Sequence, residues 1–203
     1  MGGGVLLILA GVAVILSPLL GTVTRGHADD QALREWNSGG SAALAGAPHA
    51  PDAVPGGSTA PSASACKPNA APAGDYALVT FPSLAQYGYS GVAANGDWNS
   101  LHQRSMVHYT TSPAPGAAGN VIIAFHREPH YEHIDQLAAG DSITVQDRAC
   151  ITWTYRITQR STLAPDRVTQ LAPTTGHDLT LVTCTPWWRD YDRIVWRATL
   201  VEP

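Results

Sequence analysis

The pattern of apolar and polar positions divides the chain into three stretches. From Gly2 to Val23 no charged residue interrupts the run that contains VLLILAGVAVILSPLLGTV. At about 1.5 Å per helical residue this run can cross a hydrocarbon core roughly 30 Å thick. Residues 1–25 are therefore expected to form a transmembrane anchor. A cleaved signal peptide competes with that reading. Against it stand the poor cleavage site Gly26-His27-Ala28, the missing basic n-region, and an apolar stretch longer than the usual length of roughly 7 to 15 residues. Residues 26–74 read as a linker. Between positions 37 and 74 about three-quarters of the residues are Ala, Gly, Pro or Ser. Such a segment cannot bury enough apolar surface to offset its ordering entropy. It is expected to be a disordered stalk with an r.m.s. reach of roughly 30 to 40 Å.

From Asp75 onward short apolar runs rich in β-branched and aromatic residues alternate with Gly, Pro, Asn and Asp, the pattern of many short strands. The runs are Tyr76–Phe81, Val121–Phe125, Ser142–Asp147, Ile151–Gln159, Val168–Leu171, Asp178–Cys184 and Asp192–Val201. In the fourth, Ile151, Trp153, Tyr155 and Ile157 share one face and Thr152, Thr154, Arg156 and Thr158 the other, as in a half-buried antiparallel strand. Tyr131 to Ala139, ended by Gly140, predicts a short helix. The economical architecture for residues 75–203 is mainly β: a closed or nearly closed β-barrel of about 130 residues.

Composition narrows the function. A chain of 203 residues has room for one domain and a tail. Only 14% of the residues are charged and Lys67 is the single lysine, against about 25% charge in an average soluble protein. The formal net charge of −4 argues against a nucleic-acid partner, which calls for a basic patch. Three cysteines, Cys66, Cys150 and Cys184, leave at least one thiol unpaired within the chain.

Cys184 ends the strand-like DLTLVTCTP, where a Pro-containing turn puts the thiol at a rim. The bland alternative is a small buried hydrophobe. A nucleophilic thiol needs a base or cation beside it. His126 is the best partner, because it ends the apolar run VIIAF and so projects from a rigid strand. His27 and His49 fall in the tail, and His102 and His177 read as loop surface. His108, in VHYTT, is the second histidine expected in a cleft. His126, His130 and His133, with Glu128 and Glu132 between them, have metal-like spacing. Pro129 and the preceding strand keep His126 and His130 off a common helix, so no metal is expected. In DRIVWRATL, Arg193 and Arg197 share a face. Either forms a surface ion pair, or one guanidinium lies beside Cys184 and donates to a carbonyl oxyanion.

With these residues placed, the sequence resembles the sortases, membrane-anchored cysteine transpeptidases of mainly Gram-positive bacteria. TLVTC, residues 180–184, fits the family's TLxTC motif, and Arg193 in RIVWRA fits its R-(I/L)-V-V-x-A strand. HYTTSPAPGAAGNVIIAFHR, residues 108–127, is similar to the family's HYP…PG…GN…AGHR segment, with Phe125 where a glycine is usual. IDQLAAGDSITV, residues 134–145, is similar to the helix and strand that follow. The resemblance covers residues 75–203 and is greatest to classes D and E. It implies a closed eight-stranded β-barrel with one or two short helices.

It also implies a mechanism. Cys184 as thiolate attacks the Thr-Gly carbonyl of an LPxTG- or LAxTG-like sorting signal, Arg193 steadies the oxyanion, and His126 protonates the departing amine. An amine on lipid II or a pilin lysine then resolves the thioester, so the implied partners are secreted proteins with a C-terminal sorting signal and one of these acceptors. No cofactor is implied. Thr183 is expected to shape the substrate site with His108, and residues 160–177 correspond to the family's substrate-recognition loop. The barrel would work outside the cell on a single-pass anchor, although Arg25 and Arg34, both after the span, favour the opposite side. Outside, a disulfide becomes possible. Pairing Cys66 with Cys150 would leave Cys184 free, but no spacing argument shows that they meet. An alternative is a β-barrel that binds cell-wall peptides without turnover, motivated by Phe125. An L,D-transpeptidase would need an SHGC-like motif, which is missing.

Overall fold

The computed structural model describes residues 21–38, 66–167 and 170–202. Its centre is a barrel of eight strands: β1 (Asp75–Thr80), β2 (Ser90–Gly96), β3 (Met106–Tyr109), β4 (Gly119–Phe125), β5 (Ser142–Asp147), β6 (Thr152–Leu163), β7 (His177–Thr185) and β8 (Asp192–Glu202). The strands close in the order β1-β2-β3-β4-β7-β8-β6-β5. The pairs β2–β3 and β4–β7 are parallel and the others antiparallel. Closure leaves no exposed sheet edge. The expected eight-stranded barrel is thus the observed one.

Alternation along each strand sends one set of side chains into the lumen. Ala77, Val79, Ile123, Phe125, Ile143, Val145, Tyr155, Ile157, Leu179, Leu181, Ile194 and Trp196 fill a single core. Trp196 is fully buried and its Nε1–H donates to the Leu137 carbonyl at 3.0 Å, which satisfies the one polar group of a large core side chain.

Four expectations need correction. Strands β2 and β3 do not stand out in the hydrophobic pattern: β2 reads SGVAANG, small residues of low strand propensity that are held by their neighbours on both sides. Val168–Leu171 supplies no strand among the described residues, since 170–171 lie in a turn. Residues 131–139 form only a short 3-10 turn at Ile134–Gln136. Tyr131, Ile134 and Leu137 are all buried at a spacing of three, and Arg127 holds the segment by donating to the Glu132 carbonyl and pairing with Asp135 at 2.8 Å. Core anchorage at a three-residue period favours 3-10 geometry over an α-helix.

The fourth concerns the segment before the barrel. Residues 21–38 form a helix, α1, so the expected linker of residues 26–74 begins with folded structure. Ala32 and Trp36 are buried against Val92, and the Trp36 Nε1–H donates to Gln146 at 3.1 Å. Asp29 pairs with Arg104, which also pairs with Asp75 at 2.7 Å. The spacing of Ala32, Leu33 and Trp36 puts these side chains on one helical face. Most of the expected anchor, residues 1–20, and residues 39–65 of the linker lie outside the described residues. No helix among the described residues is long and apolar enough to cross a membrane.

Cys66 and Cys150 form a disulfide with a Cα separation of 5.7 Å. It fastens the segment before β1 to the β5–β6 turn. The Asn69 amide donates to the Arg148 carbonyl at 2.7 Å, and Arg148 donates to the Asp75 carbonyl at 3.0 Å.

Candidate active site

Two parallel strands and one antiparallel neighbour build the site. β4 and β7 run side by side with Ala124 level with Val182. Two residues further along both strands come His126 and Cys184. The Thr183 hydroxyl, in the lumen, donates to the Phe125 carbonyl at 2.6 Å and ties the two strand ends together. β8 runs antiparallel to β7 with Arg193 opposite Cys184. Side chains directly opposed in such a pair point to the same face, with Cβ atoms about 4.5 to 5.5 Å apart.

That face is the outside of the barrel. Leu179, Leu181, Ile194 and Trp196 point inward, so Val182, Cys184, Arg193 and Val195 point outward by alternation. Ala124, Val182 and Val195 form an apolar floor, with Leu101, Leu163 and Leu171 packed around it. The groove above this floor has a volume of about 480 Å³ and is lined further by Trp98, His102, Pro165 and Asp190, with His126, Cys184 and Arg193 together in it. Cys184 is the free cysteine and is partly exposed. A shallow apolar groove that ends at a thiol fits an extended peptide presenting a carbonyl.

One wall comes from the β6–β7 connection, and buried polar groups hold it. Gln170 is the anchor point: its carbonyl accepts from Asn120 at 3.0 Å, from Thr180 at 3.2 Å, and from Arg197. Asn120 also donates to the Ala172 carbonyl at 3.1 Å. Asn120 and Thr180 are buried, so each of these bonds satisfies a group that would be costly to leave unmade. Arg197 also pairs with Asp178 at 3.8 Å. Arg197 is therefore a structural arginine, and Arg193 is the one beside the thiol.

The opposite wall is the turn Trp98–His102. Asp97 caps it, its carboxylate accepting from the amides of Asn99 and Ser100, while the Asp97 amide donates to the Ser100 hydroxyl oxygen. The cap fixes the Leu101 carbonyl, which accepts from His126 Nε2 at 2.9 Å. A carbonyl only accepts, so Nε2 carries hydrogen in this arrangement. Nδ1 is then the nitrogen that takes up a second proton.

Electrostatics set the resting state of the pair. Burial pushes the Cys184 thiol above its ordinary value; Arg193 pulls it down, and Glu128 and Asp190 push it up. Burial lowers His126; the Leu101 carbonyl raises it, Arg25 lowers it, and Glu128 and Asp29 raise it. Both net shifts favour neutral thiol with neutral imidazole. The thiolate–imidazolium form is then a minority species, and the two groups titrate as a pair. Arg193 is oriented by its own turn: Nη1 donates to the Asp190 carbonyl at 2.8 Å and the Asp192 carbonyl at 3.1 Å. Its other guanidinium hydrogens are available to an oxyanion beside Cys184.

Cys184, His126 and Arg193 are thus brought together, and two other expected site residues are not in the groove by their side chains. Thr183 is 2% exposed; its hydroxyl faces the lumen and positions the strand ends. His108 is 2% exposed and stacks on Tyr76 with ring centroids 4.0 Å apart. Its ring nitrogens meet Asn95, Ser112 and the Pro113 carbonyl, each at 3.0 Å. Because β3 runs antiparallel to β4 from Met106 opposite Phe125, His108 lies further from the catalytic end. His102, expected at the surface, lines the groove rim. His130 and His133 do not converge with His126. His133 packs on the Tyr87 ring, and among the described residues no group of three or more His, Cys, Asp or Glu could hold a metal.

Phe125, the departure from the motif, is absorbed by the core. Its ring packs edge-on against Tyr131 at 5.3 Å and near Trp196 at 6.4 Å, while its backbone still delivers His126 to the groove. Residues that sequence reasoning missed are the Leu101 carbonyl, Glu128, Asp190 and Arg25. The Asp97-x-x-Ser100 spacing signals the cap behind Leu101. Glu128 stands two positions from His126 and Asp190 three from Arg193, but nothing in the sequence shows that they act on Cys184, and Arg25 arrives by tertiary packing.

The family model of the sortase domain matches residues 82–201. Among solved structures, a Clostridium perfringens sortase D5 transpeptidase is 27% identical with a TM-score of 0.55, over 63% of this chain and 79% of its own. Sortase C1 from Streptococcus agalactiae is 26% identical with a TM-score of 0.57, over 64% of this chain and 69% of its own. Sortase A from Corynebacterium diphtheriae, at 21% identity and a TM-score of 0.55 over 64% of this chain and 61% of its own, shares the fold. No curated protein matches the chain.

Proposed function

Since this chain belongs to the sortase family of cysteine transpeptidases, we propose that it cleaves an LPxTG- or LAxTG-like sorting signal after threonine and passes the acyl group to an amine. The observation that carries this reading is the free thiol of Cys184, opposite Arg193 on β8 and in one groove with His126. The peptide lies along the apolar floor of Ala124, Val182 and Val195. Arg193 aligns and polarises the Thr-Gly carbonyl. Cys184 attacks as thiolate, and the tetrahedral oxyanion is held by the Arg193 guanidinium. His126, doubly protonated, gives its proton to the departing amine and leaves a thioester on Cys184. An incoming amine loses a proton to His126 and takes the acyl group from sulfur, which restores the thiolate–imidazolium pair and completes the cycle. Lipid II and a pilin lysine are the acceptor classes that this chemistry admits.

The proposed setting is the outer face of the cell membrane, with a single-pass anchor in residues 1–20 of the expected segment, because Thr22 and Arg25 line a cleft beside Cys184. The uncharged run to Val23 supports this reading. A binding protein without turnover has lost its motive, because Phe125 leaves the histidine in the groove. The test is the full chain in detergent with fluorogenic LPxTG and LAxTG peptides and an added amine. Cleavage and an amine-dependent ligation product are expected from the wild type and not from Cys184→Ala. Equal turnover by both, or none by either, refutes the proposal.

A further inference from the structure

A second cleft meets the peptide groove at the catalytic residues and has a different character. Its volume is about 230 Å³, and Thr22 and Arg25 of α1 line it together with His126, Cys184, Trp188 and Arg189. The first described turn of α1 lies at this mouth, and the helix runs away from it. Asp29 accepts from the Ser105 amide before β3, Ala32 packs on Val92, and Trp36 reaches Gln146 on β5. The first described residues of the chain, next to Thr22, therefore lie at the catalytic end of the barrel. The run from Gly2 to Leu20 that precedes them in sequence contains no charged residue. Arg25 lies only four residues beyond Gly21, about 6 Å along a helix.

Exposed apolar side chains stand in or next to the lining of this mouth. Seven large hydrophobic residues are exposed among the described residues, and three of them belong to or adjoin this lining in sequence: Trp188 at 56%, Val23 beside Thr22 at 56% and Tyr191 beside Asp190 at 63%. Trp188 and Tyr191 belong to the β7–β8 turn, which is fixed rather than loose. The Trp188 amide donates to the Glu128 carboxylate at 2.5 Å, and the Arg189 guanidinium lies 5.6 Å from the Tyr191 ring centroid. Tryptophan and tyrosine beside the end of an apolar span are the side chains that settle in the headgroup layer of a bilayer. The charges around them are matched, Arg25 and Arg189 against Glu128 and Asp190, so attraction to anionic lipid contributes little.

We propose that the β7–β8 turn, with Trp188 and Tyr191 at its tip, docks into the headgroup layer of the bilayer entered by the N-terminal segment, so that the catalytic cleft opens at the membrane surface. The inference rests on the anchor reading given above. It replaces a barrel held off the membrane on a long stalk with one seated by α1. An amine acceptor carried on a lipid would then reach the Cys184 thioester through the second cleft without leaving the interface, while the peptide occupies the apolar groove.

The test uses the full chain with Cys184→Ala, reconstituted in phosphatidylcholine vesicles, with a nitrobenzoxadiazole probe on Tyr191→Cys. A probe on Thr175→Cys, before the opposite end of β7, is the control. Quenching by brominated acyl chains several-fold stronger at position 191 than at 175, unchanged in high salt, supports the proposal. Equal quenching at both positions, or quenching at 191 that depends on protein density and so reports a second copy, overturns it. A chain that fails to float with the vesicles overturns the anchor reading as well. With all cysteines native, Trp188→Phe should remove a lipid-quenchable part of the tryptophan fluorescence; its persistence would also refute the docking.

Discussion

Removing the Cys66–Cys150 disulfide should cost stability and leave the chemistry intact. The bond spans 84 positions of sequence and closes a loop that contains β1 to β5. Chain-closure entropy for a loop of that size corresponds to about 4.5 kcal/mol at 25 °C, since the cost grows with the logarithm of loop length. For a domain of this size each kcal/mol moves the midpoint by roughly 2 to 4 °C, so a fall of roughly 9 to 18 °C is expected. The bridge lies at the start of β1 and the β5–β6 turn. Cys184 sits at the other end of β7, level with the end of β4, so the groove is not disturbed. The assay compares thermal unfolding of the wild type, oxidised and with reductant, to that of Cys66→Ser/Cys150→Ser, together with peptide cleavage at 25 °C. Oxidised wild type should unfold highest, and reduced wild type and the double variant should coincide. Cleavage per folded molecule should be equal in oxidised wild type and the double variant. A shift below about 2 °C would refute the loop-closure reasoning. Lost cleavage in a variant that is still folded would refute the separation of bridge and site.

Other expectations follow from the site. Because burial raises the Cys184 thiol above its ordinary value of 9.0 and lowers His126 below 6.5, the rate should form a bell with limbs outside that interval. Glu128 raises both groups, so Glu128→Gln should move both limbs toward acid with a similar maximum. Asp190 raises Cys184 and is not among the influences on His126, so Asp190→Asn should move the alkaline limb alone and increase the maximum; pH profiles of kcat/KM check both. Thr183→Val removes the bond to the Phe125 carbonyl and should cost about 1 to 3 kcal/mol for the buried acceptor left unmade. It should lower kcat with little change in KM, and Thr183→Ser should recover both, as read by denaturant unfolding and steady-state kinetics. Asn120→Ala releases the wall at Gln170 and Ala172, so KM for the peptide should rise several-fold while kcat is kept; equal loss in both would place Asn120 outside substrate positioning.

Much of the barrel is legible in the chain because alternation is a local property. β5 is bounded by the same residues in sequence and structure, and β1, β4, β7 and β8 differ by at most two residues at either end. Their inward and outward sets follow from period-two geometry. β2 escapes this reading because SGVAANG carries little strand propensity of its own, and its place is decided by β1 and β3 on either side. α1 is obscured by its neighbourhood, since Ala32, Leu33 and Trp36 lead into a segment of Ala, Gly, Pro and Ser.

The site divides in the same way. Cys184 and His126 are visible because each ends a strand, and Arg193 because a turn of ordinary length folds β8 back beside β7. Their roles are chemical and follow from residue type. What lies around them is set by contacts distant in sequence. Leu101 meets His126 across 25 positions, Thr183 meets Phe125 across 58, and Trp188 meets Glu128 across 60. The bridge from Cys66 to Cys150 across 84 positions belongs to the same class. Local sequence thus determined most of the strands and singled out Cys184, His126 and Arg193 as the candidate site residues. Only the tertiary structure decided that the Thr183 and His108 side chains point away from the groove, that one barrel face carries two clefts, and that Thr22 and Arg25 of α1 line the second of them. Barrel closure decides these features, because it alone sets which distant residues become neighbours.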